Sequence, residues 1–250
     1  MDHNELIILK KLERIDIMQI KSRQYFIQSN HGFTIIELLV AMVVALLAMG
    51  AIYSTFLTQQ KSYVVQQETA AMHQNIRAAS FYMEKEIRMA GCDPTGSGTP
   101  GILSANQTSI RFTEDVTDGA GGDPDGDVTD LNEDITYSLD ANRNLIRTIN
   151  YIDGGGANAV ERSVVAQNID AIDFVYLNNL PAPIAFPVAD PSAIRSVEIT
   201  IVARTGKSTL ASPNNNPYVN QQGTTFFTAP GDNVSRRRLT YSIKCRNLGL

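Results

Sequence analysis

The longest run of apolar residues in this chain extends from Leu38 to Ile52, with no charged or polar side chain in it. An α-helix over Phe33–Leu57 would be about 37 Å long, which is enough to cross a hydrocarbon core of about 30 Å. The segment before it carries five basic residues: Lys10, Lys11, Arg14, Lys21 and Arg23. Because positive charge keeps a flanking segment in the cytoplasm, the pattern predicts a membrane-spanning helix over residues 33–57, with the C-terminal bulk of the chain outside the cytoplasm.

The helical pattern continues beyond this run. Residues 54–90 contain neither proline nor glycine, and Gly91 marks the predicted end of the helix. Apolar residues at helical spacing form one stripe: Val65, Met72, Ile76, Ala79, Met83, Ile87 and Ala90. We therefore expect one helix over Phe33–Ala90, with an amphipathic stalk at 58–91. Two helices broken near Ser54–Thr58 are the alternative.

After Gly91 the apolar period changes from 3.6 to two, which is typical of strands. This alternation predicts strands at 135–139, 145–149, 172–176, 197–203 and 239–245, the first two joined by a turn at 140–144. We expect five or six mostly antiparallel strands in a β-rich head over residues 92–250, with the amphipathic stalk helix packed on one face of the sheet. The predicted fold class is α+β.

Glu37 stands directly before the apolar run, where an unpaired carboxylate costs free energy in a membrane. One interpretation is a secretory signal peptide cleaved after Gly50, and a second is an uncleaved signal anchor. A third is a leader cleaved before the apolar run. Cleavage after Gly32 would give Phe33 a positive amine one helical turn from Glu37, and that amine, on this chain or a neighbour, would neutralise the carboxylate.

The stretch Gly32-Phe-Thr-Ile-Ile-Glu37-Leu-Leu-Val resembles the type IV prepilin processing site. The resemblance implies that a prepilin peptidase cuts between Gly32 and Phe33 and methylates the new Phe33 amine, and that Glu37 directs assembly with other pilin subunits. It also implies residence in the bacterial inner membrane, then in a pilus or pseudopilus. Residues 1–32 would be the leader, which is long for this family, and Met18 is an alternative start to Met1.

Two further segments, Tyr53–Leu57 and Arg77–Gly91, resemble minor pilins of the PilW type, and also the larger J-type pseudopilins of type II secretion. This resemblance implies a minor type IV pilin that enters or initiates a pilus, which is a structural subunit and not an enzyme. A J-type minor pseudopilin is the alternative, and a DNA-uptake competence pilin is a second alternative.

Composition narrows these alternatives. The net charge of -5 argues against general nucleic-acid binding, and a DNA-uptake role would rest on the short basic run at Arg236–Arg238 alone. The chain has three histidines and contains no CxxC, HExxH or GxSxG motif. We therefore expect no catalytic residues.

Residues 114–134 contain nine acidic residues and no lysine or arginine. Within them, Asp123, Asp125, Asp127 and Asp130 follow a spacing that can place oxygen ligands around Ca²⁺. The loop is not an EF-hand, because Val128 stands at the position where that turn requires glycine. The sequence predicts a Ca²⁺ site at these four residues, with a solvated acidic loop as the alternative.

The chain has two cysteines, Cys92 after the predicted helix and Cys245 at the end of the last predicted strand. Export would place both in an oxidising compartment. We therefore expect a disulfide between them, with two independent buried thiols as the alternative.

Overall fold

The computed structural model describes residues 32–118, 122–180 and 182–249, so the predicted leader and Met18 lie outside the described residues, except for Gly32. The described chain forms one long helix followed by strands: α1 Ile35–Met89, β1 Ile102–Ala105, β2 Ser109–Thr113, β3 Asp134–Leu139, β4 Leu145–Ile152, β5 Asn158–Ala166, β6 Ile169–Leu177, β7 Ser196–Arg204, β8 Pro217–Val219, β9 Thr225–Thr228 and β10 Arg236–Lys244. A short 3₁₀ helix, Pro191–Ala193, precedes β7.

The chain divides into two compact units at Gln59. In the described part of the first unit, residues 32–59, every residue is exposed. Helix α1 is long and apolar enough to cross a membrane by length and composition, and none of its most apolar 18-residue window is buried within the chain. The prediction of one continuous helix is confirmed, because α1 runs without a break through Ser54–Thr58.

In the second unit, residues 60–250, the stripe on α1 is buried as predicted, except at its first member. Met72, Ile76, Ala79, Met83 and Ile87 are buried, and so is Ala90 just beyond the helix. Val65 is 38% exposed; it borders an open groove that residues 208–211 also line, and it is not among the apolar residues packed against the core.

The first sheet is an antiparallel meander of five strands in the order β1-β2-β3-β4-β5. The predicted hairpin is present, with Leu139 opposite Leu145. Its turn is held by the Asp140 carboxylate, whose Oδ1 accepts hydrogen bonds from the Asn142 and Asn144 amides at 2.8 and 2.7 Å. The meander is tied to α1 by Glu86, which accepts a 2.6 Å hydrogen bond from the Tyr137 hydroxyl.

The second sheet has three antiparallel strands in the order β10-β7-β6, and β8 and β9 form a separate two-stranded ribbon. Strand β7 is the centre of the second sheet and contributes Val197, Ile199 and Ile201 to the core. The core is one cluster that joins α1 to both larger sheets. The α+β prediction is confirmed, but the described chain has ten strands, more than the five or six that were expected.

Candidate processing and assembly site

The predicted processing segment lies at the start of α1. Gly32, Phe33 and Thr34 precede the first helical residue, and Phe33 is 87% exposed. No described side chain approaches within 4 Å of the position that a Cβ atom would take at Gly32. Among the described residues, both residues that flank the Gly32–Phe33 peptide bond are therefore exposed.

Thr34 and Glu37 cap the N-terminus of α1 through hydrogen bonds in both directions. The Thr34 amide and the Thr34 hydroxyl each donate to Glu37 Oε2 at 2.9 Å. In return, the Glu37 amide donates to Thr34 Oγ1 at 3.3 Å. This is a capping box, which satisfies backbone donors that have no partner within the helix. Its T-x-x-E signature before an apolar run is visible in the sequence, whereas the partner predicted for Glu37 was the Phe33 amine alone.

The capping box gives Glu37 a partner within its own helix, without the Phe33 amine. The carboxylate also lies in the first turn of α1, where the positive end of the helix dipole stabilises an anion. Both Thr34 hydrogen bonds use Oε2, and Oε1 has no partner among the described residues. Oε1 is therefore available to form an ion pair with a positively charged group.

The acidic loop brings together three of its four predicted ligands. One carboxylate oxygen from each of Asp125, Asp127 and Asp130 lies within 4.8 Å of the other two. Asp123 is not a member of this group. Asp115 is not a member of this group either; it is fully buried, and its Oδ2 accepts a 3.1 Å hydrogen bond from the Gly126 amide.

Both cysteines are free thiols, so the disulfide predicted from the sequence is not formed in this structure. Each is tied to a different sheet. The Cys92 carbonyl accepts from the Asp115 amide beside the five-stranded sheet, whereas the Cys245 amide donates to the Arg195 carbonyl beside the three-stranded sheet. Burial raises the pKa of Cys245 to about 11. Burial, followed by nearby carboxylates, raises the pKa of Cys92.

The run Arg236–Arg238 is not one basic patch. The Arg236 side chain is fully buried and pairs with Asp170 and Asp232. Arg238 is exposed and donates to the Val219 carbonyl at 2.7 Å. Arg236, which has the most ion pairs in this run, is therefore not exposed on the surface.

Comparison with known proteins gives a local match and a weaker global likeness. Residues 27–53 match the family model of the prokaryotic N-terminal methylation motif. No curated protein matches the chain. Among solved structures, the chain is similar to a type IV-like pilin from Thermus thermophilus at 12% identity and a TM-score of 0.48, covering 71% of this chain and 98% of that one.

Proposed function

We propose that this chain, a type IV pilin-like protein that carries the prokaryotic N-terminal methylation motif, is a minor type IV pilin. In this function it is processed by prepilin peptidase and then enters or initiates a pilus. The observation that carries the proposal is the motif match over residues 27–53, placed on an exposed Gly32–Phe33 bond directly before an apolar helix.

Processing would hydrolyse the Gly32–Phe33 peptide bond and release the Phe33 amine, which the peptidase then methylates. The new cation would lie within one helical turn of Glu37 Oε2, which Thr34 already orients. Because Oε1 has no partner among the described residues, Glu37 can pair with the amine of its own chain or with that of a neighbouring subunit.

Assembly would then cover the apolar surface of residues 35–57. This surface is exposed along its whole length, and Leu47 and Met49 are each more than 70% exposed. An apolar surface of this extent needs lipid or apolar helices around it. The inner membrane supplies the first cover, and the equivalent helices of other pilins supply the second.

The β8–β9 ribbon and its flanking loops support a specialised minor subunit, because they add surface between β7 and β10 without contributing a strand to either larger sheet. A J-type pseudopilin of type II secretion has the same processing chemistry and is the alternative. A DNA-uptake role is weakened, because Arg236 is buried in ion pairs and cannot contact phosphate.

The test is the intact mass and N-terminal sequence of the membrane-bound protein, produced with and without prepilin peptidase. We expect an N-terminus at methylated Phe33 that is lost without the peptidase. An N-terminus at Ala51 or an uncut chain in the presence of the peptidase would exclude the pilin pathway.

Glu37→Gln separates processing from assembly. The glutamine keeps an oxygen acceptor for Thr34 but carries no charge, so we expect normal cleavage and at least a tenfold loss of the protein from sheared filaments. Glu84→Gln, on an exposed part of α1 where Glu84 pairs with Arg88, is the matched control and should assemble normally. Equal filament content in both variants would contradict a role for the Glu37 charge.

A further inference from the structure

We propose that an open groove between α1 and the loop of residues 208–211, here called the groove loop, binds a phospholipid of the bilayer in which the apolar part of α1 lies. The apolar lining of the groove comes from three residues of α1 and two of the groove loop: Tyr63, Val64, Val65, Leu210 and Ala211. This inference rests on the proposed function, because it requires the chain to be anchored in a membrane before it enters a filament.

Hydrogen bonds fix both walls of the groove. The Gly206 amide donates to Glu68 Oε2 at 2.9 Å, which ties the start of the groove loop to α1. The carbonyl of Asn233 accepts from the Thr209 and Leu210 amides at 2.9 and 3.0 Å. The Asn233 side-chain amide donates in turn to the Leu210 carbonyl at 3.0 Å. The groove loop is therefore held in place while its side chains face outward.

The apolar side chains of the groove have no cover within the described chain. Tyr63 is 66% exposed, and Val64 and Leu210 are 38% and 39% exposed. The groove has a volume of about 740 Å³, which lies in the range of about 300–1,000 Å³ that is usual for sites of small ligands. A groove of this size with apolar walls is suited to an apolar ligand such as an acyl chain.

The groove begins close to the predicted end of the membrane span. Only four residues separate Leu57, the last residue of that span, from Lys61 at the groove. Four residues reach at most about 14 Å even when fully extended, and each headgroup layer of a bilayer is about 5–8 Å thick. Chain length alone thus keeps Lys61 in or beside the headgroup layer, where Tyr63 is also a favoured residue type.

The charges around the groove suit a phosphate group. Lys61 is the only charged residue between positions 38 and 67, and Lys207 is the only one between positions 205 and 216. No acidic residue lines the groove, and the nearby Glu68 is engaged by Lys207 at 3.5 Å. A lysine at a membrane surface lays its stem on apolar groups and pairs its ammonium with phosphate. We therefore place the lipid phosphate beside Lys61 and an acyl chain against the apolar lining.

The experiment uses tryptophan fluorescence, because the chain contains no tryptophan of its own. The full-length Leu210→Trp protein is reconstituted in vesicles of phosphatidylethanolamine and phosphatidylglycerol, with either ordinary or brominated acyl chains. Bromine quenches only a tryptophan that touches the acyl region. We expect the brominated lipid to lower the fluorescence of Leu210→Trp at least twofold.

Two control variants separate the groove from the membrane anchor. Phe56→Trp lies in the apolar part of α1 and should be quenched strongly, whereas Phe81→Trp is an exposed aromatic position 20 residues beyond Lys61 and should not be quenched. Quenching of Phe56→Trp without quenching of Leu210→Trp would overturn the groove proposal and leave the anchor intact. If neither is quenched, the membrane anchor itself is wrong and the groove proposal falls with it. Equal quenching of Phe81→Trp and Leu210→Trp would also overturn the groove proposal.

A charge reversal tests the place of the phosphate. Adding Lys61→Glu to Leu210→Trp should reduce the quenching at least twofold, because the carboxylate repels the phosphate. Lys85→Glu makes the same change at an exposed position of α1 outside the groove and should leave the quenching unchanged. Equal effects of the two reversals would contradict a phosphate beside Lys61.

The reporter also needs a folding control. The thermal unfolding midpoint of Leu210→Trp should match that of the unmodified chain, since its backbone bonds to Asn233 do not involve the side chain. If the midpoint falls sharply, Ala211→Trp, at the exposed neighbouring position of the groove loop, decides alone. Twofold quenching of that variant by brominated lipid supports the groove proposal, and unchanged fluorescence overturns it.

Discussion

Glu37 Oε2 lies 2.9 Å from both the amide nitrogen and the hydroxyl oxygen of Thr34. The carboxylate to which we assign the contact between subunits therefore also starts its own helix. A neighbouring amine would meet a side chain that is already oriented, so little conformational entropy is lost on pairing.

Replacing Thr34 by alanine removes the hydroxyl from this arrangement. Loss of an N-cap side chain costs about 1 kcal/mol, so we expect the first turn of α1 to open more often and the Glu37 amide to exchange hydrogen roughly fivefold faster. Hydrogen exchange of the full chain in detergent measures this rate. Thr34→Ser keeps the hydroxyl and should exchange like the unmodified chain. Equal rates in the alanine and serine variants would argue against the capping box.

Asp170 is the centre of a buried ion cluster. Its side chain is 2% exposed and contacts Arg143, Arg204 and Arg236, the last of which is fully buried. Asp170→Asn would leave the Arg236 charge partly uncompensated, and breaking a buried pair costs about 3–5 kcal/mol. We expect a clearly lowered midpoint in thermal or urea unfolding of the full chain.

Arg143→Ala is the matched control for this prediction. Arg143 contacts the same carboxylate at 3.1 Å, but its side chain is 53% exposed. An exposed pair contributes about 0–1 kcal/mol, so the control should unfold close to the unmodified chain. A loss as large as that of Asp170→Asn would show that the burial of Arg236 is not what makes the cluster important.

The ionisation of Asp232 should make the folding stability of the chain depend on pH in the acidic range. Hydrogen bonds from Arg236 lower the pKa of Asp232 to about 2. The unfolded chain then binds more protons than the folded chain between that value and the ordinary pKa near 4. This contribution to stability is present above about pH 4 and is lost as the pH falls towards 2.

The measurement is the unfolding midpoint of the full chain as a function of pH, with Asp232→Asn in parallel. The variant should lose less stability across this acidic range than the unmodified chain. Asp153→Asn removes a carboxylate that accepts from the Gly155 and Ala157 amides in an exposed turn, and it should leave the steep acid dependence in place. Identical profiles for all three proteins would contradict the assignment.

The two cysteines should react slowly with thiol-labelling reagents in the folded protein. Burial raises the pKa of Cys245 to about 11, and it is 3% exposed, so little reactive thiolate forms at neutral pH. We expect native labelling of Cys245 at pH 8 to be at least tenfold slower than labelling in denaturant. Denaturation should release both thiols. Mass spectrometry of the membrane-derived protein checks this, and the recovery of an intact Cys92–Cys245 bridge would contradict the free-thiol structure.

Sequence periodicity predicted the parts of the fold that have one strongly apolar face. Helix α1 was predicted within two residues at each end, and the β3–β4 hairpin was predicted because its apolar residues alternate around a clear turn. Strand β5 was not predicted, since most of its residues are exposed on both faces and its pairing with β4 leaves no apolar alternation.

Site residues were hard to predict where distant segments meet. Asp115 lies in the acidic segment itself, but its burial and its hydrogen bond from Gly126 arise only in the folded chain. The pairing of Arg236 with Asp170 joins β10 to β6, 66 positions apart. Local spacing carries no information about such pairs, whereas the Thr34–Glu37 box is local and its pattern is readable from the sequence.

The strand order also determines when the β-rich part of the chain can be completed during folding. Strands β1–β5 pair with their neighbours in sequence, so the meander can form as the chain emerges. Strand β10 pairs with β7 along the whole length of β7. Because β10 follows β7 only after residues 205–235, β7 cannot be paired on that edge until β10 has been synthesised. During that interval one edge of β7 is an open template for pairing with another chain. A protein shortened before Arg236 would keep that edge open permanently, and it would be prone to aggregation and to degradation by proteases that act on incompletely folded chains.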